Sequence, residues 1–272
     1  MPGLRGSPDL CMSGDRCKTK YPLLLAHGLN SRDHWPMEYW GRVPEVLEAE
    51  GARVYLGGQD AWGSVEDNAA QLREVLLRAL EETGAEKVNI IGHSKGGLEA
   101  RYLISTMGMG EYVASLTTVC TPHHGTGIAD KFLDHPWVIA LLGGVMKGFW
   151  HLTGDKAPDP WQVAKDLSRA HSVQFNRDNP DDPKVYYQSW GADLRDHRED
   201  VRMMLIGKFM RLTDGPTDGL VNPKSARWTN YRGDIIGVSH EDMTDTRKVD
   251  LEHFDVREFY IRLAEELKNM GF

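Results

Sequence analysis

Val88-Asn89-Ile90-Ile91-Gly92-His93-Ser94-Lys95-Gly96-Gly97 reads as a strand, a sharp turn and the start of a helix. The apolar residues before Gly92, rich in β-branching, suit a buried parallel strand. Leu98-Glu99-Ala100-Arg101-Tyr102-Leu103-Ile104 then supplies good helix formers with apolar positions at helical spacing. Between them lies G-x-S-x-G, at Gly92, Ser94 and Gly96. Glycines on either side let strand and helix backbones approach closely, and the strained turn lifts a serine hydroxyl into a cleft. Residue frequencies alone would produce roughly 0.1 such pentapeptides in a chain of this composition. Its place between a strand and a helix is what makes Ser94 a candidate nucleophile.

Outward from this stretch the chain alternates. Pro22 to Ala26 is a short buried strand running into the tight loop His27-Gly28-Leu29-Asn30. A helix starts near Pro44, which favours the first helical position, and stops at Gly51. Arg53 to Leu56 is the next strand. Ser64 caps a helix with Leu72, Val75, Leu76, Ala79 and Leu80 on one face, and Gly84 ends it. Strands follow at Val113–Val119 and Val185–Trp190, and a helix over Val256 to Met270 closes the chain. Such alternation predicts an α/β fold, a mainly parallel sheet with helices on both faces. Residues 126–183 interrupt the alternation and read as an insertion carried by the sheet, with an apolar segment from Pro136 to Trp150 and a helical stretch from Trp161 to Asn176. Residues 1–20, rich in Gly, Pro and charge, read as a flexible leader, leaving 21–272 as one domain.

Composition narrows the function. The 272 residues carry 32 basic and 40 acidic side chains, a net charge of −8, with no basic block to track a phosphate backbone, so nucleic acid is not the expected partner. No run approaches eighteen apolar residues, and the first twenty residues hold no apolar core of signal-peptide type, which excludes a transmembrane segment and implies a cytoplasmic chain unless a signal has been removed. Three cysteines, Cys11, Cys17 and Cys120, make an odd count and no disulfide framework. His123 and His124 are adjacent in a loop, where neighbouring side chains diverge and rarely share a metal.

A catalytic serine needs a positioned base, usually histidine, and the base needs a carboxylate to fix its tautomer. On a strand–turn–helix serine the chain order is serine, acid, histidine, the last two from loops at the carboxyl ends of later strands. Asp218 opens the polar turn Asp218-Gly219-Leu220-Val221 and is favoured over Asp214, four residues earlier. His240 lies in a loop after the apolar Ile235-Ile236 and is favoured over His253, which adjoins the final helix. Two backbone donors should hold the oxyanion: the N–H of Lys95, after the nucleophile, and that of Leu29, after the first strand.

Tyr21-Pro22-Leu23-Leu24-Leu25-Ala26-His27-Gly28-Leu29, the Gly92–Gly97 turn, Thr121-Pro122-His123-His124-Gly125 and Asp218-Gly219-Leu220-Val221 together resemble the bacterial triacylglycerol lipases of the Pseudomonas, Burkholderia and Proteus type. The resemblance covers most of residues 20–270. It implies an α/β-hydrolase fold with an inserted helical lid, hydrolysis of lipid or small carboxylic esters without an organic cofactor, and Ser94, Asp218 and His240 as the catalytic triad, the last two at a separation close to the family's. It further implies a structural calcium ion. Asp242, two residues past His240, matches one ligand position, and Asp196 or Asp200 would supply another. The disulfide of the Pseudomonas and Burkholderia members cannot form, because no cysteine follows Cys120. A thioesterase or acyltransferase with the same triad, or a binding protein on the same fold, are the alternatives.

Pro136 to Trp150 is the expected lid. Val138, Leu141, Leu142, Val145 and Phe149 fall on one helical face, while Trp137, Ile139, Ala140 and Met146 leave the other side apolar as well. Gly143, Gly144 and Gly148 weaken the helix by about 1 kcal/mol each relative to alanine, as suits a moving part that trades burial over a cleft for contact with a lipid surface. A fixed core helix is the alternative for the same pattern.

Overall fold

The computed structural model describes residues 14–33, 38–137, 148–195 and 201–272. Six strands form one parallel sheet: β1 (Leu23–Ala26), β2 (Val54–Leu56), β3 (Val88–His93), β4 (Val113–Val119), β5 (Tyr186–Asp193) and β6 (Tyr231–Ile236), in the order β2-β1-β3-β4-β5-β6. The helices used below are α1 (Val43–Ala49), α2 (Val65–Thr83), α3 (Lys95–Ile104), α4 (Gly127–Asp134), α5 (Pro160–Asp166), α6 (Arg169–Asp178), α7 (Val201–Asp214), α8 (Pro223–Ala226) and α9 (Val256–Asn269).

Strand β1 is apolar throughout, and β3 and β4 are buried along their whole length, because both faces of the sheet are covered there; side chains alternate between the faces with a period of two. Leu23, Leu25 and Ile91 enter one core with Trp40, Val43 and Leu47 from around α1 and Tyr260, Leu263 and Leu267 from α9. Leu24, Ala26 and Ile90 enter the other with Leu72 and Leu76 of α2 and Ala100 and Leu103 of α3. Helix α2 begins and ends as its sequence predicts: Ser64 Oγ accepts the Asp67 N–H at 3.0 Å, and Gly84 stops the helix at φ 66°.

From β1 the chain steps outward to β2 and then back past β1 to β3. The order therefore reverses between β1 and β3, and the crevice beyond their carboxyl ends is where an open α/β sheet binds ligands. That crevice is bounded by His27-Gly28-Leu29 and by Ser94.

Several elements differ from expectation. The single helix expected over Trp161–Asn176 is two, α5 and α6, because Asp159 caps the first through the Trp161 and Gln162 N–H groups and Ser168 caps a second through the His171 N–H. Helix α7 was not expected at all, and β6 extends well upstream of Ile235-Ile236. Residues 14–20 are not a free leader. The Cys17 and Lys20 N–H groups bond the carbonyls of Glu50 and Phe272, Cys17 is fully buried, and Arg16 lies 3.0 Å from both Glu258 and Glu265 on α9. Cys17 and Cys120 are free thiols. Most of the expected lid, residues 138–147, lies outside the described residues.

A buried cation helps to lock the inserted region to α3, beside the packing of Leu98 with Val163, Leu167 and Phe175. Arg101 is 2% exposed. Its guanidinium donates to Asn176 Oδ1 at 2.7 Å and to the Asn179 carbonyl at 2.8 Å and lies 3.7 Å from the centre of the Trp228 ring. Burial lowers its pKa to about 10, so it stays charged at neutral pH. Removing it strands these acceptors, so Arg101→Ala should lose about 3 kcal/mol in equilibrium denaturant unfolding. Arg101→Lys should recover little of this, lacking the planar fork.

Candidate active site

Ser94 joins β3 to α3 at φ 53° and ψ −129°, a conformation rarely populated by residues with a side chain and costing about 1–3 kcal/mol where the surroundings enforce it. Its N–H is held by the Val119 carbonyl at 3.0 Å. Close approach explains the glycines. A Cβ on Gly96 would lie 2.3 Å from the Ala26 carbonyl oxygen, so only glycine lets α3 start against β1. A Cβ on Gly28 would lie 2.7 Å from Ser94 Cβ and 2.5 Å from the Tyr39 hydroxyl, which puts the His27–Leu29 loop directly beside the serine.

Asp218 and His240 meet at the carboxyl ends of β5 and β6. The Leu194 N–H, just past β5, bonds the Thr217 carbonyl at 2.9 Å, and the Gly237 N–H, just past β6, bonds the Asp193 carbonyl at 2.7 Å. Asp218 Oδ1 accepts the N–H groups of Leu220 (2.9 Å) and Val221 (2.7 Å), and Oδ2 accepts His240 Nδ1 at 2.7 Å. Both residues are buried. The rivals point elsewhere: Asp214 pairs with Arg169 at 2.8 Å, and the exposed His253 bonds the Gly237 carbonyl.

The His240 ring packs 4.5 Å, centre to centre, from His93, the chain neighbour of Ser94. His93 in turn bonds the Tyr39 hydroxyl at 2.7 Å. Burial, with His240 adding to it, pushes the His93 pKa well below the ordinary imidazole value, so His93 stays neutral. Cys120 Sγ and the nearest ring nitrogens of His93 and His240 all lie within 4.8 Å of one another. Burial and the neighbouring Asp218 push the Cys120 thiol well up, so it is no nucleophile at neutral pH.

Lys95 is the first residue of α3, where a backbone N–H has no partner within the helix. Its side chain is fully buried and joins a polar network that sequence reading did not find. The ammonium donates to the Gly63 carbonyl at 2.9 Å and pairs with Glu99 one turn along. Glu99 also accepts from Asn68 Nδ2 (2.8 Å) and Gln59 Nε2 (2.6 Å), and the Gln59 carbonyl bonds His27 Nε2 at 2.9 Å. The network thus ties the start of α3 to the loop after β1, fixing the two segments that carry Lys95 and Leu29. Its one sequence signal was the Lys95–Glu99 spacing of four on the helix that follows Ser94. Tyr39 and His93 gave no such signal, because their contact spans 54 positions.

His123 is buried against Trp228 and bonds Thr118, while His124 is exposed, so the two do not converge. Asp196 and Asp200 lie outside the described residues. Asp242 does not present an open carboxylate: Oδ2 accepts the Ser239 N–H (3.0 Å) and O–H (2.7 Å), and Oδ1 accepts the Arg247 guanidinium. Calcium takes six to eight oxygen ligands, and this carboxylate does not fit that role.

A parallel sheet with a strained serine at its switch point, and an acid–histidine pair from the loops after β5 and β6, define an α/β-hydrolase. Residues 22–247 match the family model described as palmitoyl protein thioesterase. A triacylglycerol lipase of Pseudomonas fragi is 36% identical over 94% of this chain and 99% of its own, and one of Vibrio cholerae is 31% identical over 83% and 80%. The crystal structure of Staphylococcus hyicus lipase shares the fold, with a TM-score of 0.75 over 98% of both chains at 18% identity. The chain belongs to the palmitoyl protein thioesterase family and, with its Pseudomonas fragi relative, to the bacterial triacylglycerol lipases; it is a carboxylic ester hydrolase.

Proposed function

We propose that the chain cleaves acylglycerol esters through an acyl-enzyme on Ser94. The observation that carries this reading is the 2.7 Å bond between Asp218 and His240, with His240 packed on the residue next to Ser94. His240 Nε2 takes the serine proton as Oγ bonds the ester carbonyl carbon. The resulting oxyanion is held by the N–H groups of Leu29 and Lys95. His240 then returns the proton to the departing alcohol oxygen as the C–O bond breaks, and water repeats the sequence to release the fatty acid. Asp218 keeps the Nδ1 proton in place and stabilises the imidazolium.

The names of the Pseudomonas fragi and Vibrio cholerae relatives support an acylglycerol substrate. Trp137, Phe149 and Leu152 are exposed apolar side chains flanking the segment 138–147, an arrangement suited to transient contact with a lipid surface. Among the described residues no helix is long and apolar enough to cross a membrane. The family model favours a second reading, in which the acyl group arrives as a thioester.

A fluorophosphonate should add once, on Ser94, as located by peptide mass spectrometry. Adduct on another serine would remove the assignment. Parallel turnover of an acylglycerol and an acyl thioester of equal chain length separates the two substrate readings, and the higher kcat/KM is expected for the acylglycerol.

A further inference from the structure

The loop that carries His240 is closed by an internal ion pair at the place where the lipase resemblance implies a metal. Asp242 sits between its two ends. Oδ2 holds Ser239, the residue before His240, through both its N–H and its hydroxyl, while Oδ1 receives Nη2 of Arg247, five residues downstream. The Asp242 carboxylate is 4% exposed and the Arg247 side chain 25%. A divalent cation at Oδ1 would share that oxygen with a guanidinium, whose charge repels it, and would find Oδ2 already occupied by two donors. The positive charge that a buried carboxylate requires is thus present in the chain itself.

The rest of the loop is anchored from outside. Asp245 accepts three bonds of 2.8 Å from the Arg42 backbone and guanidinium, Thr246 Oγ1 donates to the Tyr39 carbonyl at 2.7 Å, and the Tyr260 hydroxyl donates to the Met243 carbonyl at 2.8 Å. These ties hold the far limb of the loop. Beside the bonds of Thr244 to the Glu241 carbonyl (3.0 Å) and to Thr246 (2.7 Å), the Asp242–Arg247 pair connects that limb directly to Ser239, the residue before His240.

We propose that Arg247 is the resident cation of the histidine loop: through Asp242 and Ser239 it positions His240, and the enzyme works without calcium. This rests on the assignment of His240 as the base. Unlike an ion, whose occupancy follows its free concentration, a guanidinium neither dissociates nor loses its charge at any pH the fold survives.

The test uses the whole chain. Wild-type melting and ester turnover should be unchanged by a chelator and by added calcium. Arg247→Gln should lower the melting temperature by about 5 °C and reduce kcat about tenfold with KM nearly constant, as expected when a residue that orients a catalytic group is lost. Arg247→Lys, which keeps the charge, should retain most of both. If Arg247→Gln does not fold, the neutral pair Asp242→Asn with Arg247→Gln replaces it, and should be folded and indifferent to calcium. A wild-type melting temperature that falls on chelation and returns with calcium would overturn the proposal, as would an Arg247→Gln enzyme that melts and turns over like wild type. Melting reads the cation alone, so a calcium response would defeat this proposal while leaving the role of His240 intact.

Discussion

Ser94→Ala should reduce kcat for ester hydrolysis by about 10⁵-fold while leaving the melting curve near that of wild type. The size follows from chemistry: without Oγ no acyl-enzyme forms, and the residual rate is what oxyanion donors and substrate binding provide alone. The fold should survive because the turn at Ser94 is enforced by its surroundings, through the Ser94 N–H to Val119 bond and the contact of Gly96 with β1, and alanine retains the Cβ. Steady-state kinetics beside a thermal melt checks both halves. A variant within tenfold of wild type would mean that another group attacks.

Asp218→Asn should cost about 10⁴-fold in kcat, since an amide facing His240 Nδ1 stabilises the wrong tautomer while the geometry persists. Oδ1 accepts two backbone N–H groups and Oδ2 faces the imidazole, so the amide nitrogen of asparagine avoids the two donors by turning toward His240. His240→Ala should be as severe. The controls are Asp214→Asn, which weakens the pair between a nearly buried carboxylate and the half-exposed Arg169, and His253→Ala, which loses an exposed bond to Gly237. Both should keep turnover within about threefold of wild type, because the Asp214 carboxylate is directed at Arg169 and the His253 ring at the Gly237 carbonyl. An inactive Asp214→Asn beside an active Asp218→Asn would reverse the assignment.

The sequence by itself determined the parallel α/β architecture, because β1, β3 and β4 are marked by short apolar and β-branched runs and the helices by capped 3.6-residue patterns, both local signals. Ser64 and Gly84 delimit α2 for that reason, and Gly92, Ser94 and Gly96 announce the turn. The pairing of Asp218 with His240 was legible from order and turn chemistry. Helix α7 was not, since its apolar residues are spread around its circumference and Met203 and Met210 face the interior while Leu205 and Leu212 stay exposed. Residues 14–20 looked like a leader because the partners of Arg16 lie 242 and 249 positions away.

Only the tertiary structure decided how the site is supported. The Lys95–Glu99–Gln59–Asn68 network, the Tyr39–His93–His240 ring cluster and the Arg247 pair each depend on side-chain direction and on contacts between distant segments. Asp242 shows the difference most plainly. Its place two residues after His240 matched a calcium ligand, but a carboxylate's role is set by which donors reach its two oxygens. Here those donors are Ser239 and Arg247.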